Sequence, residues 1–331
     1  MDGLRFSNPR NGVKTDTFHY GENMVHLRLL MYSTGKEGTL LKRIISLVLM
    51  CVMALSILAG CSHVVDEAQY IGTIFDGQAV LRAYGKGSQA ALSSAFEQMQ
   101  IAQRNTLEEN GDFTAMVAAQ NQLQYVSPFT ASLLSRVQDM QTKYADIYAQ
   151  ARKKPESSQY CFSSLQLDLA QNAASMQCSN IYYLKALARS AAIDNAAQTI
   201  MDEGALCGMV MLAGTTATIG QRPDKGSWAM PVTHPLDQNL VIGTLYLKDF
   251  AASTMAAPLP EKASGDNAER ALSVTIIAPT ALEATVLSCF LYGLDIQYAF
   301  NMVSAMDGIE ILVLGEDGTI LSSQTISTEL R

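Results

Sequence analysis

Fifteen consecutive apolar or small residues, Ile44–Leu58, follow the basic pair Lys42–Arg43 and end at Leu58-Ala59-Gly60-Cys61. A helix that crosses a bilayer needs about 20 apolar residues, so this run is short for a permanent span. A basic lead, an apolar core and small residues before a cut describe a secretory signal. What folds is then the chain beyond residue 60. Residues 1 to about 30 have no evident role, and Met24 and Met31 are alternative starts, with Met31 giving a short basic lead. The extension is expected to be a start-site artefact or to leave with the signal.

Leu58-Ala59-Gly60-Cys61 resembles the lipobox of bacterial lipoproteins. That resemblance implies cleavage before Cys61, a lipid on its sulfur and acylation of the new amino terminus. Two or more chains anchor stably where one does not. The expected placement is the bacterial cell envelope, on the outer face of the cytoplasmic membrane, with Cys61 as the membrane contact. An uncleaved signal anchor is the plainer alternative.

Residues 1–60 take seven of the 23 basic and four of the 31 acidic residues with them, which leaves a net charge of −11. Such a domain is not built for nucleic acid, whose phosphates need a basic patch. Of the six cysteines, Cys161, Cys178, Cys207 and Cys289 lie beyond Cys61, and no C-x-x-C occurs. Outside the cytosol a disulfide is allowed, and Cys161 with Cys178 is the easiest pair. Only His63 and His234 remain beyond residue 60, too few for histidine-based catalysis.

Periodicity sets out the folded part. Residues 69–84 read as two short strands broken by glycine. Ser88 is placed to cap a helix that carries Leu92, Phe96 and Met99 on one face and ends near Asn110. Ser127 as N-cap with Pro128 at the first helical position opens another, whose stripe of Phe129, Leu133, Val137, Met140, Tyr144 and Ile147 is core. Residues 153–159 are a loop, and 183–203 a helix stopped by Gly204. Residues 208–220 are a strand pair about Gly214, followed by strands in WAMPVTHP and NLVIGTLYLKD. Residues 257–270 are a loop and LSVTIIAP a strand. Thr280 and Asp295 cap helices, and 309–323 form a hairpin. Strands and helices mix without strict alternation, which gives an α+β class. The expected layout is a leader at 1–60, a tether at 61–66, one domain at 67–324 and a tail at 325–331.

The order of these stretches resembles the FAD:protein FMN transferases, the ApbE-type lipoproteins. YVSPFTASLL, YYLKALARSAAID, VMLAGTTATIG, WAMPVTHP, FAASTM and LSVTIIAPTALEATVLSCFLYGLD fall in the family's sequence of motifs. The resemblance implies an ApbE-like fold of mixed and antiparallel sheets with packed helices. It implies FAD and Mg²⁺ as cofactors, with FMN passed to a Thr or Ser of an envelope flavoprotein partner. It places Arg189, Ser190, Asp194 and Gly214 at flavin-nucleotide positions, and Thr285 and Cys289 at metal-ligand positions.

Several of those positions depart from the pattern. Mg²⁺ prefers hard oxygen ligands in tight octahedral geometry. The family's Asp is Thr285 here, and its Thr is Cys289. Glycines that let backbone approach the nucleotide are Lys185, Ala186 and Ser190, the family lysine is Arg189, and the glycine of TSG is Met255. No histidine lies between Met255 and Ser273. The expectation is a degenerate member with lost or weakened transfer. An active transferase with substituted ligands and a non-catalytic flavin- or protein-binding lipoprotein are the alternatives. Each site residue also has a structural reading: Asp194 as a helix cap or ion-pair partner, Gly214 as a tight turn, Arg189 as a solvated charge, Thr285 and Cys289 as core.

Overall fold

The computed structural model describes residues 66–151, 153, 164–177, 181–256, 270–323 and 328–330. Cys61, the Cys161–Cys178 pair and the loops at 153–159 and 257–270 lie wholly or almost wholly outside them.

The chain opens with a hairpin of β1 (Glu67–Ile74) and β2 (Gly77–Tyr84), joined through Phe75 and Asp76 at φ 50° and 59°. Two successive positive φ values match the right-handed twist of the paired strands. Helices α1 (Ser88–Leu107) and α2 (Asp112–Ala119) follow, then β3 (Gln124–Tyr125). Gly87, at φ 86°, precedes α1 with no side-chain cap, and Ser88 is buried inside the helix. This corrects the expected Ser88 cap: the chain enters α1 from a left-handed glycine, not from an extended serine.

Ser127 does cap α3 (Pro128–Lys143), accepting from the Thr130 N–H at 3.3 Å. The predicted stripe to Ile147 is real but not continuous. The helix stops at Tyr144 (φ −113°) and resumes as α4 (Ala145–Ala151), with Tyr144 and Ile147 still buried. Strands β4 (Gln166–Asp168) and β5 (Ala173–Ser175) join β3 in a three-stranded sheet. Next comes α5 (Ile181–Asp202), stopped by Gly204 at φ 89°.

Strands β6 (Cys207–Leu212) and β7 (Thr215–Ile219) turn through Ala213 and Gly214, both at positive φ. Then come β8 (Trp228–His234), β9 (Asp237–Leu247), β10 (Ala251–Met255) and β11 (Ala271–Ala278). Helices α6 (Ala281–Leu291) and α7 (Ile296–Ser304) start on Thr280 and Asp295, whose side chains accept N–H groups three residues on. Strands β12 (Glu310–Gly315) and β13 (Ile320–Ser322) form the closing hairpin, and β14 (Thr328–Leu330) pairs with β9. The stretch read as a tail therefore holds a strand.

The large antiparallel sheet has eight strands in the order β1-β2-β6-β7-β10-β11-β12-β13. Its two faces are covered by different layers, and the alternation of side chains along a strand shows it. Val274, Ile276, Ile311 and Val313 face the main core beneath α1, α5 and α6. Ile277, Leu312 and Leu314 face Met230, Val232, Leu245 and Leu247 of the sheet β14-β9-β8. Helix α6 is buried along its whole length, so its polar residues Glu283, Thr285 and Ser288 must find partners inside the protein.

Candidate active site

Helix α5 places Tyr182, Lys185 and Arg189 at spacings of three and four, which puts them on one side of the helix. Lys185 pairs with Asp76 in the β1–β2 turn. That bond and the ammonium charge hold the Asp76 carboxyl below its ordinary range. The Tyr182 hydroxyl donates to the Ala256 carbonyl at 3.4 Å. Burial raises the tyrosine's pKa, and the Arg189 charge works against that. The Arg189 Nε is buried with no hydrogen-bond partner among the described residues. Burial pushes the guanidinium's pKa down, while Tyr182 and Cys289 are the groups that favour its charge.

Next to Arg189 in the chain, Ser190 begins a buried row of hydroxyls. Its Oγ lies 2.8 Å from the Ala186 carbonyl and donates to Thr285 Oγ1 at 2.6 Å. Thr285 donates onward to Ser253 Oγ at 2.8 Å, and Ser253 meets Thr215 Oγ1 at 3.1 Å. All four residues are buried, and together they link α5 and α6 to β10 and β7. Gly214 sits next to this row. Its carbonyl accepts the Thr254 N–H at 3.0 Å, which ties the β6–β7 turn to β10.

The structure therefore brings Arg189, Ser190, Gly214, Thr285 and Cys289 into one neighbourhood. It turns Asp194 elsewhere. The Asp194 carboxylate accepts the Ala281 and Leu282 N–H groups at 2.6 and 3.1 Å and an Arg136 N–H at 2.9 Å. Burial raises its pKa, and Arg136 and the two amides oppose the shift. Its chemistry here is to close the amino end of α6.

Beside it, a cavity of about 60 Å³ is lined by Phe129, Ser132, Leu133, Arg136, Ala191 and Asn195. Pockets for drug-sized ligands start near 300 Å³, so this one does not take a dinucleotide.

The donor set at 285 and 289 does not fit Mg²⁺. The Thr285 hydroxyl is engaged from both sides, and Cys289 is a buried free thiol whose pKa is driven up by burial. Among the described residues no three His, Cys, Asp or Glu side chains cluster as a metal site.

Two residues of this centre were not foreseen, Ser253 and Thr215. The signal was present: hydroxyl side chains inside otherwise apolar strands need a buried partner. The buried Glu283, to which Lys143 and Tyr144 donate, was also missed, although a lone acid within ALEATVLSCFL gives the same kind of signal.

The chain superposes on solved ApbE proteins over most of their length. The ApbE protein of Thermotoga maritima matches with a TM-score of 0.62 and 18% identity, covering 78% of this chain and 98% of that one. This chain has the ApbE fold. The flavinyl transferase ApbE of Pseudomonas stutzeri in its apo form gives a TM-score of 0.60 at 13% identity, over 78% of this chain and 95% of that one. The flavin transferase ApbE of Vibrio cholerae gives 0.60 at 14%, over 78% and 98%. No protein-family model and no curated protein sequence matches the chain. The ApbE fold is thus carried by the arrangement of strands and helices, as the order of motifs implied.

Proposed function

We propose that the protein is a membrane-anchored lipoprotein of the bacterial envelope, built on the ApbE fold, in which Mg²⁺-dependent transfer of FMN from FAD is lost or weakened. The observation that carries this is the hydroxyl row. Phosphoryl transfer depends on a cation bridging phosphate oxygens and on positioned groups around it. Here the residue at the expected carboxylate position is a threonine whose oxygen is already bonded to Ser190 and Ser253. The leader Lys42–Cys61 supports the anchor.

A second reading is favoured by Arg189, whose buried Nε has no protein partner among the described residues. A guanidinium suits phosphate geometry, so the protein binds a flavin nucleotide, or transfers it with arginine in place of part of the metal's charge.

One assay separates the readings. The full-length protein is mixed with FAD, Mg²⁺ and an acceptor flavoprotein, and the acceptor is inspected for covalent flavin by in-gel fluorescence. The first reading expects no fluorescent acceptor. A fluorescent band overturns it. Quenching of FAD fluorescence on titration without a band supports a binding role, and Arg189→Ala then abolishes the quenching.

A further inference from the structure

The described chain begins at Asp66, and its carbonyl accepts the Gly85 N–H at 3.0 Å at the end of the β1–β2 hairpin. On the proposed lipoprotein reading, five peptide links separate an acylated Cys61 from Asp66. Fully extended, they span roughly 17 Å. The end of the large sheet that carries Asp66 therefore stays within that distance of the lipid surface.

What lies at that end can be read from the strand registers. Tyr84 pairs with both Glu67 and Cys207, which puts Leu206 beside them, 60% exposed. The Gly220 N–H donates to Asp249 at 2.6 Å, which brings the 220–226 loop and the end of β9 to the same place, and the Tyr84 and Trp228 rings meet there at 5.9 Å. Exposed Leu206 and Phe250 share this face with exposed Lys86, Lys225 and Lys248. Asp66, Glu67, Asp202 and Glu203 stand among them, so the face has no cationic excess to hold it down. The tether does that.

The opposite end of the same strands carries the Phe75–Asp76 and Ala213–Gly214 turns, together with Lys185. An eight-residue strand such as β1 separates the two ends by about 25 Å.

We infer that the domain stands on the membrane on its Asp66–Leu206 end, with Lys86, Lys225 and Lys248 against the lipid headgroups, and presents the Arg189–Gly214 end away from the bilayer. The inference rests on the anchoring reading. It implies that whatever meets the candidate site approaches from the aqueous side, at a height the short tether fixes.

The test uses the full-length protein, expressed with its own leader, in isolated membranes. Lysines are acetylated with a water-soluble ester and their rates read by mass spectrometry. The comparison is a variant with 30 Gly/Ser residues inserted between Val64 and Val65, which adds a root-mean-square reach of about 30 Å. Lys86, Lys225 and Lys248 are expected to react at least about threefold faster in the long-tether protein, and Lys185 equally in both. Unchanged rates at the three lysines, with both proteins still in the membrane fraction, overturn the orientation and leave the anchor standing. Recovery of the native-tether protein in the soluble fraction overturns the anchor and the orientation with it.

Discussion

Glu283 accepts from Lys143 Nζ at 2.6 Å and from the Tyr144 hydroxyl at 2.5 Å while only 6% exposed. A buried carboxylate is tolerated because both partners reach it. The hydrogen bond to Glu283 is the main reason the Lys143 pKa lies above its ordinary 10.5. Burial first, and then the same carboxylate, raises Tyr144 above 10.0. Both groups bind their protons more tightly in the folded protein than in the unfolded chain. Their contribution is complete below the unfolded values and is lost as pH rises through the folded ones. The urea midpoint is therefore expected to fall as pH is raised above about 10. Lys143→Met should lower the unfolding free energy at pH 8 by about 1 kcal/mol or less, since the lysine side chain is 60% exposed. The variant's alkaline fall should also be shallower. An identical slope in both proteins argues against the coupling.

At the scale of elements, Asp194 is a residue of one helix that serves another. Two N–H groups at the start of α6 and the guanidinium of Arg136 on α3 converge on its carboxylate, while Thr280 caps the next amide from within, at 3.2 Å. Asp194→Ala leaves those donors facing a buried gap and is expected to cost about 2–3 kcal/mol in urea unfolding. Thr280→Ala should cost about 1 kcal/mol. Equal losses from the two would mean that the cross-helix cap carries no more than the local one. This contrast also marks what the sequence can show. Thr280, Asp295 and Ser127 announce helices because a cap acts over three residues, and Gly204 and Gly214 announce stops and turns because positive φ is a local demand. Asp194 bonding to Ala281 is a contact across 87 residues, and no pattern along the chain records it. The same is true of Asp112, which accepts from Ser127 and Thr130 at 2.6 Å each and so fixes the start of α3 from α2. Strands β3 to β5 are only two or three residues each, too short to show an alternation, and the eight-residue α2 has no side-chain cap to announce it.

For the whole molecule, the ApbE fold holds a row of buried hydroxyls at its centre. The main core beneath the eight-stranded sheet closes around Ser190, Thr285, Ser253 and Thr215 with hydroxyl bonds, a centre that needs no ion to be satisfied. That makes metal linkage a measurement on the entire fold. A ligand that binds only the folded state adds stability that grows with its concentration, about 2.7 kcal/mol at one hundred times its Kd. The wild-type protein is expected to unfold at the same temperature with and without 10 mM Mg²⁺. Thr285→Asp with Cys289→Thr places a carboxylate and a hydroxyl one helical turn apart on α6. Without Mg²⁺ the double variant should melt below wild type, because it buries a charge among neutral hydroxyls. Added Mg²⁺, but not added Na⁺ at equal ionic strength, should recover part of that loss, since the cation neutralises the new carboxylate. Recovery confined to the double variant means that two substitutions closed an otherwise competent metal position. A wild-type protein stabilised as strongly as the variant would place the metal on other oxygens, and the weakened-transfer reading would fall with it.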